Sequence, residues 1–313
     1  MTILIKSGDP SSIQQWQSLF AEHLPKLTVR WWEDTSVDPN NVRYVLVWEP
    51  DPGFLGQFPN LEVIFSSGAG VDHITARDPD YPKHLPLVRM YTPESAQHMA
   101  EHVLMCCLMA TRGFVQATHQ QQNKTWHTYE TPAIASDITV GIMGLGNLGL
   151  HTAQYVHNAG FKVIGWSRSA KHIPFMDSYA GDEQLPEFLQ RSHIIVCLLP
   201  QTPETQHILN AQTLALLPKG ATVINVGRGT HLDITALKNA LDTQHLGYAY
   251  LDVFAEEPLD TQSWLWTHPQ VVISPHVAAN APRAARVTYL SAQITAHESG
   301  QPMQNIYSPE LGY

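Results

Sequence analysis

Cysteine is scarce in this chain: three in 313 residues, Cys106, Cys107 and Cys197, each inside an apolar run and with no paired spacing. That argues against a disulfide-stapled scaffold and predicts reduced core residues of a cytoplasmic protein. Basic residues are also few. Eighteen Lys and Arg against 28 Asp and Glu give a net charge of -10, without a basic block. A nucleic-acid partner is therefore not expected. An anionic ligand must be met by a few placed arginines and backbone amides, not by a general positive field. No apolar run is long enough for a membrane span; the longest near a helix, 103–110, falls far short of the roughly 20 residues required. Residues 1–6 read as a short strand and not as a signal peptide. Low-complexity tails and solenoid repeats are also missing.

What remains is ordinary globular material, 43% hydrophobic and 15% charged, long enough for two domains with separate cores. Strand-like runs at 2–6, 27–32, 44–48, 61–66 and 85–90 alternate with a helix at 11–24, for which Ser11 or Ser12 is the expected cap. Turns at 38–41 and 49–53 separate them. This pattern predicts a small parallel α/β domain. A single long helical stretch at 95–122 and a polar loop at 123–136 follow. Further strands are predicted at 139–143, 161–166, 193–199, 221–226, 248–253 and 271–274, with helices at 205–217 and 234–241. A final helix at 282–298 lies beyond the sixth of these strands and is free to return to the first domain.

The segment 139–149 has the most specific local pattern. Gly144, Gly146 and Gly149 give the spacing G-x-G-x-x-G, between an apolar strand and a helix that stops at Gly160. In a dinucleotide-binding βαβ unit the first glycine makes the tight turn, the second admits a pyrophosphate and the third lets helix pack on strand. Amides at Asn147, Leu148 and Gly149 then face the phosphates. The end of the next strand carries no Asp or Glu to bond an unmodified ribose. Eighteen positions after Gly149 stand Ser167, Arg168 and Ser169, with Lys171 close behind. A hydroxyl and a guanidinium suit a 2′-phosphate, so NADP(H) is the preferred cofactor and NAD(H) the alternative.

Three later strand ends carry reactive groups. Asn225-Val226-Gly227-Arg228-Gly229 supplies an arginine, 251–258 a carboxylate and Ser274-Pro275-His276 a histidine. In an open α/β sheet the carboxyl ends of strands line the ligand crevice. A protonated histidine, a carboxylate that stabilises it and an arginine that forks onto a carboxylate suit hydride transfer to a 2-oxo acid. A competing pattern, His98-Met99-Ala100-Glu101-His102, fits the H-x-x-E-H of some metalloproteases. It falls at the start of the long helix and is read as part of it, so no metal is assigned.

These motifs resemble the D-2-hydroxyacid dehydrogenase family over nearly the whole chain. The resemblance rests on the Ser67-Gly68-Ala69-Gly70-Val71-Asp72 loop, the glycine fingerprint, Leu198-Leu199-Pro200 with Thr202-Pro203-Glu204-Thr205, and the segments 225–229, 251–258 and 275–276. Leu46-Val47-Trp48-Glu49-Pro50, Gly68-Ala69-Gly70-Val71-Asp72, Trp166-Ser167-Arg168 and the closing Gly312-Tyr313 are similar to the group that reduces glyoxylate and hydroxypyruvate. The resemblance implies two doubly wound parallel-sheet α/β domains with a cleft between them. One is a Rossmann-type cofactor domain, 97–282; the other is a smaller, discontinuous, flavodoxin-like substrate domain, 1–96 and 283–313. It further implies catalytic roles for Arg228, Glu257 and His276, with motif position selecting Glu257 over Glu256. Substrate would be held by Trp48, Ala69, Gly70 and Arg228. The cofactor would be held by Gly144, Gly146, Asn147, Leu148, Gly149, Ser167, Arg168, Ser169, Leu199, Pro200 and Val226, with Asp252 on the nicotinamide carboxamide. A homodimer through the helix after Ser95 is implied as well. The alternatives are a phosphoglycerate- or D-lactate-type dehydrogenase and a dinucleotide-sensing corepressor.

Overall fold

The computed structural model describes residues 1–131, 133–310 and 312. Tyr313, half of the closing pair just mentioned, lies outside the described residues. The chain forms two units, 1–94 with 281–313 and 95–280. Each crossing falls two residues earlier than the sequence suggested.

The first unit carries β1 (Thr2–Lys6), β2 (Thr28–Trp31), β3 (Val42–Val47), β4 (Val63–Ser66) and β5 (Leu87–Val88), all parallel, in the order β2-β1-β3-β4-β5. The inner strands read as nearly unbroken Val, Ile and Leu because both faces of a parallel sheet are covered. Successive side chains point to opposite faces. Ile3, Ile5, Tyr44, Leu46 and Phe65 therefore join one core with Trp16 and Phe20, while Leu4, Val45, Val47 and Ile64 join another. The last helix, Arg283–Glu298, lays Val287, Leu290 and Ile294 against the first of these cores. Their spacing of three and four residues is one helical face, and this is why the C-terminal segment belongs to the N-terminal sheet. The helix Ile13–His23 does not use a serine cap. Asp9 caps a short 3-10 turn, Pro10–Ser12, and Ser12 makes no side-chain cap bond.

The second unit carries β6 (Thr139–Met143), β7 (Lys162–Ser167), β8 (Asp177–Ala180), β9 (Ile194–Cys197), β10 (Ala221–Asn225), β11 (Leu246–Leu251) and β12 (Val271–Ile273). All are parallel, in the order β12-β11-β10-β9-β6-β7-β8. Counted from β6, the chain first builds outward to β8 and then reverses to build the other way from β9. The reversal at β6 and β9 is the topological switch point at which such sheets bind ligands, and the glycine-rich turn leaves β6 there.

Several elements differ from the sequence-based expectation. The stretch 95–122 is two helices, Pro93–Thr111 and Phe114–Gln122, because Gly113 takes a left-handed φ of 63° between them. The stretch 205–217 keeps only the helical turn Ala211–Leu214, capped by Asn210, since His207 sits at φ 49° ahead of it. β8 and the helix Gly181–Gln190 were not anticipated. β8 is an edge strand burying only Tyr179, and Pro186 lies inside the helix, so neither shows a clean periodic pattern. No helix among the described residues is long and apolar enough to cross a membrane.

Candidate active site

The predicted cofactor residues of the second unit all lie at or just beyond the carboxyl ends of its strands. Gly144 follows β6 with φ 101°, and a Cβ there would stand 2.6 Å from the Leu198 carbonyl. Gly149 is packed so closely on the Gly144 carbonyl that any side chain would overlap it. At Gly146, the N-cap of the helix Asn147–Asn158, an added Cβ meets nothing within 4 Å. The Asn147, Leu148 and Gly149 amides donate to no partner among the described residues, as expected for a helix start that awaits an anion. A pyrophosphate fits this opening. At the end of β7, Ser167 Oγ donates to the Ser169 carbonyl at 2.9 Å, and Arg168, Ser169 and Lys171 are exposed. Lys171 Nζ donates to the Leu145 carbonyl at 2.5 Å, which ties this loop to the glycine-rich turn.

The segment after β10 is braced from within. The Asn225 side chain is fully buried; its amide donates to the Arg228 carbonyl at 2.9 Å and its oxygen accepts from the Gly227 amide at 3.2 Å. His231 Nδ1 accepts from the Arg228 amide at 3.1 Å, so Nε2 carries the proton and donates to the Pro200 carbonyl at 3.2 Å. Val226 donates to the Cys197 carbonyl at 3.2 Å. Leu199 and Pro200 after β9 and Val226 after β10 are thereby joined. Arg228 Nη1 donates to the Gly227 carbonyl at 2.7 Å. Sequence reasoning missed His231; its position three residues after Arg228, at the end of a 3-10 turn, was the only available signal.

Asp252, 2% exposed, is the anchor of the next loop. Its Oδ1 accepts from Ser274 Oγ at 2.5 Å and from the Val277 amide at 3.0 Å, and its Oδ2 accepts from the Ala278 amide at 2.9 Å. Three of about four acceptor positions of the carboxylate are thus taken by its own chain. Between them His276 adopts φ 54°, and its amide donates to the Asp252 carbonyl at 2.8 Å. Left-handed backbone at a side-chain-bearing residue costs roughly 1–2 kcal/mol and here aims the imidazole at Glu257. His276 Nδ1 lies 2.8 Å from Glu257 Oε2, while Glu257 Oε1 accepts from the Phe254 amide at 2.9 Å. Partial burial opposes ionisation of Glu257. The hydrogen bonds from His276 and Phe254 and the charges of His276 and Arg228 outweigh it, and hold the carboxyl below its ordinary value. Of the two neighbouring acids, Glu256 and Glu257, it is Glu257 that meets the histidine.

In the first unit, Trp48 follows β3 and stacks on His73, ring centroids 4.0 Å apart. The turn after β4 is held by Ser66: Gly68 N donates to Ser66 Oγ at 3.1 Å, and that hydroxyl lies 2.7 Å from the Gly70 carbonyl. The amides of Ala69 and Gly70 donate to no partner among the described residues, and Ala69 is exposed. Successive open amides of this kind are the groups with which a turn can meet an anion. His98 and His102 of the H-x-x-E-H pattern form no metal-binding group among the described residues; His98 Nδ1 meets the Asn280 carbonyl at 2.9 Å.

A switch-point glycine turn, with an arginine and a carboxylate–histidine pair at neighbouring strand ends, defines a dinucleotide-dependent dehydrogenase. The family model for the D-isomer specific 2-hydroxyacid dehydrogenase NAD-binding domain matches residues 104–278. Glyoxylate/hydroxypyruvate reductase A of Serratia proteamaculans (strain 568) is 38% identical over 304 residues, 96% of each chain. A D-isomer specific 2-hydroxyacid dehydrogenase of Xanthobacter autotrophicus Py2, solved in complex with NADPH and MES, aligns with TM-score 0.92 and 39% identity over 100% of this chain and 99% of that one. The NADPH-dependent glyoxylate/hydroxypyruvate reductase of Sinorhizobium meliloti, solved with NADP and sulfate, aligns with TM-score 0.91 and 34% identity over the same shares. This chain belongs to the D-isomer specific 2-hydroxyacid dehydrogenase family.

The lowered Glu257 carboxyl has a consequence for stability. Its contribution is fully present above the ordinary carboxyl range and is lost as pH falls through the depressed folded value. The Glu257→Gln variant should therefore melt below the parent at neutral pH, with the gap closing as pH falls through the carboxyl range. Thermal melts across that range measure it; a gap independent of pH would remove the assignment.

Proposed function

We propose that this protein reduces small 2-oxo acids, glyoxylate and hydroxypyruvate among them, to the corresponding 2-hydroxy acids, glycolate and D-glycerate, with NADPH as the preferred donor. The carrying observation is the Glu257–His276 pair at 2.8 Å, at a strand end of the sheet that also bears the open glycine-rich turn. The names of the relatives support the substrate class. NADPH, when bound, supplies the hydride. The pyrophosphate is assigned to Gly144, Gly146 and the Asn147, Leu148 and Gly149 amides. The 2′-phosphate is assigned to Ser167, Arg168 and Ser169, with Lys171 adding a second cation. Leu199, Pro200 and Val226 line the nicotinamide side, and the remaining acceptor position of Asp252 is assigned to the carboxamide.

Glu257 takes the Nδ1 proton of His276 as a hydrogen bond and stabilises the imidazolium, which leaves Nε2 to give its proton to the carbonyl oxygen. Arg228 forks onto the substrate carboxylate and polarises the carbonyl. In the first unit, the Ala69 and Gly70 amides are assigned to the substrate carboxylate and Trp48 to the wall of the substrate pocket.

NADPH should exceed NADH in kcat/KM with glyoxylate, and Arg168→Ala should erode that preference; equal or better turnover with NADH by the parent overturns the cofactor assignment. His276→Ala should lower kcat by about 10²–10⁴-fold, measured by NADPH oxidation under saturating substrate. A near-parental rate would remove the proton-transfer role.

The same reading makes the protein a homodimer. Met105, Leu108 and Phe114 on the two helices after Ser95, with Trp126 and Ile134 beyond them, are large exposed apolar side chains in one stretch of the chain. Light scattering should give about twice the 34.9 kDa of the chain; a monomer at micromolar concentration counts against it.

A further inference from the structure

Arg286 stands on the C-terminal helix and reaches back into the first unit. Its Nη2 donates to Ser67 Oγ at 2.6 Å and to Ser7 Oγ at 3.2 Å, and lies 3.5 Å from the Ser67 carbonyl. The two serine hydroxyls are themselves 2.5 Å apart. The guanidinium lies 5.1 Å from the Trp16 ring centroid, and Arg283 covers the same ring at 5.3 Å. Neither arginine has a carboxylate within salt-bridge distance among the described residues. The Nε of Arg286 is buried without a hydrogen-bond partner. Burial, and then the Arg283 charge beside it, bring Arg286 down to about 10, still protonated at neutral pH.

A sequestered cation without a counter-ion is costly to keep. Its hydroxyl partner, Ser67, is the residue immediately before the Gly68-Ala69-Gly70 turn with its two unpartnered amides. The geometry points to Arg286 as a positioning residue for that turn: it clamps Ser67 in place and lends positive charge to the anion received at Ala69 and Gly70. The step from clamp to substrate rests on the assignment of those amides to the 2-oxo acid carboxylate. Ser66 holds the far side of the turn through Gly68 and Gly70, Met90 N donates to the Gly68 carbonyl at 3.0 Å, and Arg286 holds the entry. The cation is half-buried, and its attraction for a nearby carboxylate is stronger there than in open water. The guanidinium does not touch the substrate; it acts through the turn.

The test uses the full chain saturated with NADP+ and oxalate as a carboxylate probe that does not react. Arg286→Met keeps much of the side-chain volume and removes the charge and the clamp. Its dissociation constant for oxalate, by calorimetry, and its KM for glyoxylate should rise about tenfold or more. kcat and the affinity for NADPH should stay near parental values, the signature of lost substrate binding. Arg286→Lys, which keeps the charge but cannot bridge both serines, should recover part of the oxalate affinity. Unchanged oxalate affinity in Arg286→Met overturns the inference. So does a parallel fall in kcat and NADPH affinity, which would mark a structural role only. No recovery in Arg286→Lys overturns the part given to charge. If the parent binds oxalate in the Arg286-dependent way but reduces no 2-oxo acid, the proposed reaction fails while the anion site stands.

Discussion

The second unit depends on one buried carboxylate. Among the described residues Asp252 makes no ion pair; it is held by a serine hydroxyl and two consecutive amides. Hydrogen bonds to an ionised acceptor are worth about twice neutral ones, and three of them converge on a side chain 2% exposed. They hold the chain through a left-handed residue that it would otherwise avoid. That residue is His276, and the conformation carries its imidazole to Glu257. The pair on which the chemistry is assigned is thus a product of backbone geometry enforced from behind. A carboxylate needed elsewhere as a ligand can serve as an anchor because it has more acceptor positions than one loop uses.

The same economy recurs at Arg228. Its backbone is pinned on both sides, by the Asn225 side chain at its carbonyl and by His231 at its amide. His231 in turn reaches the Pro200 carbonyl, so the loops after β9 and β10 are one hydrogen-bonded piece. In both places a buried, hydrogen-bonded polar side chain orients a partly exposed reactive one. The first unit uses a different solution: a serine pair and an arginine without an ion pair among the described residues stand behind a turn whose Ala69 and Gly70 amides have no partner among them.

Much of this was legible in the sequence. The three glycines and their strand-turn-helix context pointed to the turn at the switch point: Gly144 and Gly149 leave no room for a side chain, and Gly146 leaves the helix start open. An arginine, a carboxylate and a histidine were expected together because strand ends in a parallel sheet face one edge, and motif position singled out Glu257 from Glu256. Periodicity failed where burial is weak or local geometry overrides propensity. β8 buries one side chain, the helix after it contains Pro186, and Gly113 and His207 break helical stretches that composition joins. Asp252 was visible only as a ligand, since its bonds run to residues 22 to 26 positions away.

By itself the sequence determined what local rules can determine: every strand but β8, the glycine turn, the chemical types at the reactive strand ends and the family pattern they make. Which groups lock Arg228, and that Arg286 comes to lie beside Ser67 across 219 positions of chain, were decided by tertiary structure. The physical reason is range. Steric and propensity effects act over a few residues and leave a trace in spacing, whereas a hydrogen bond or a buried charge acts only between groups that packing has already brought together.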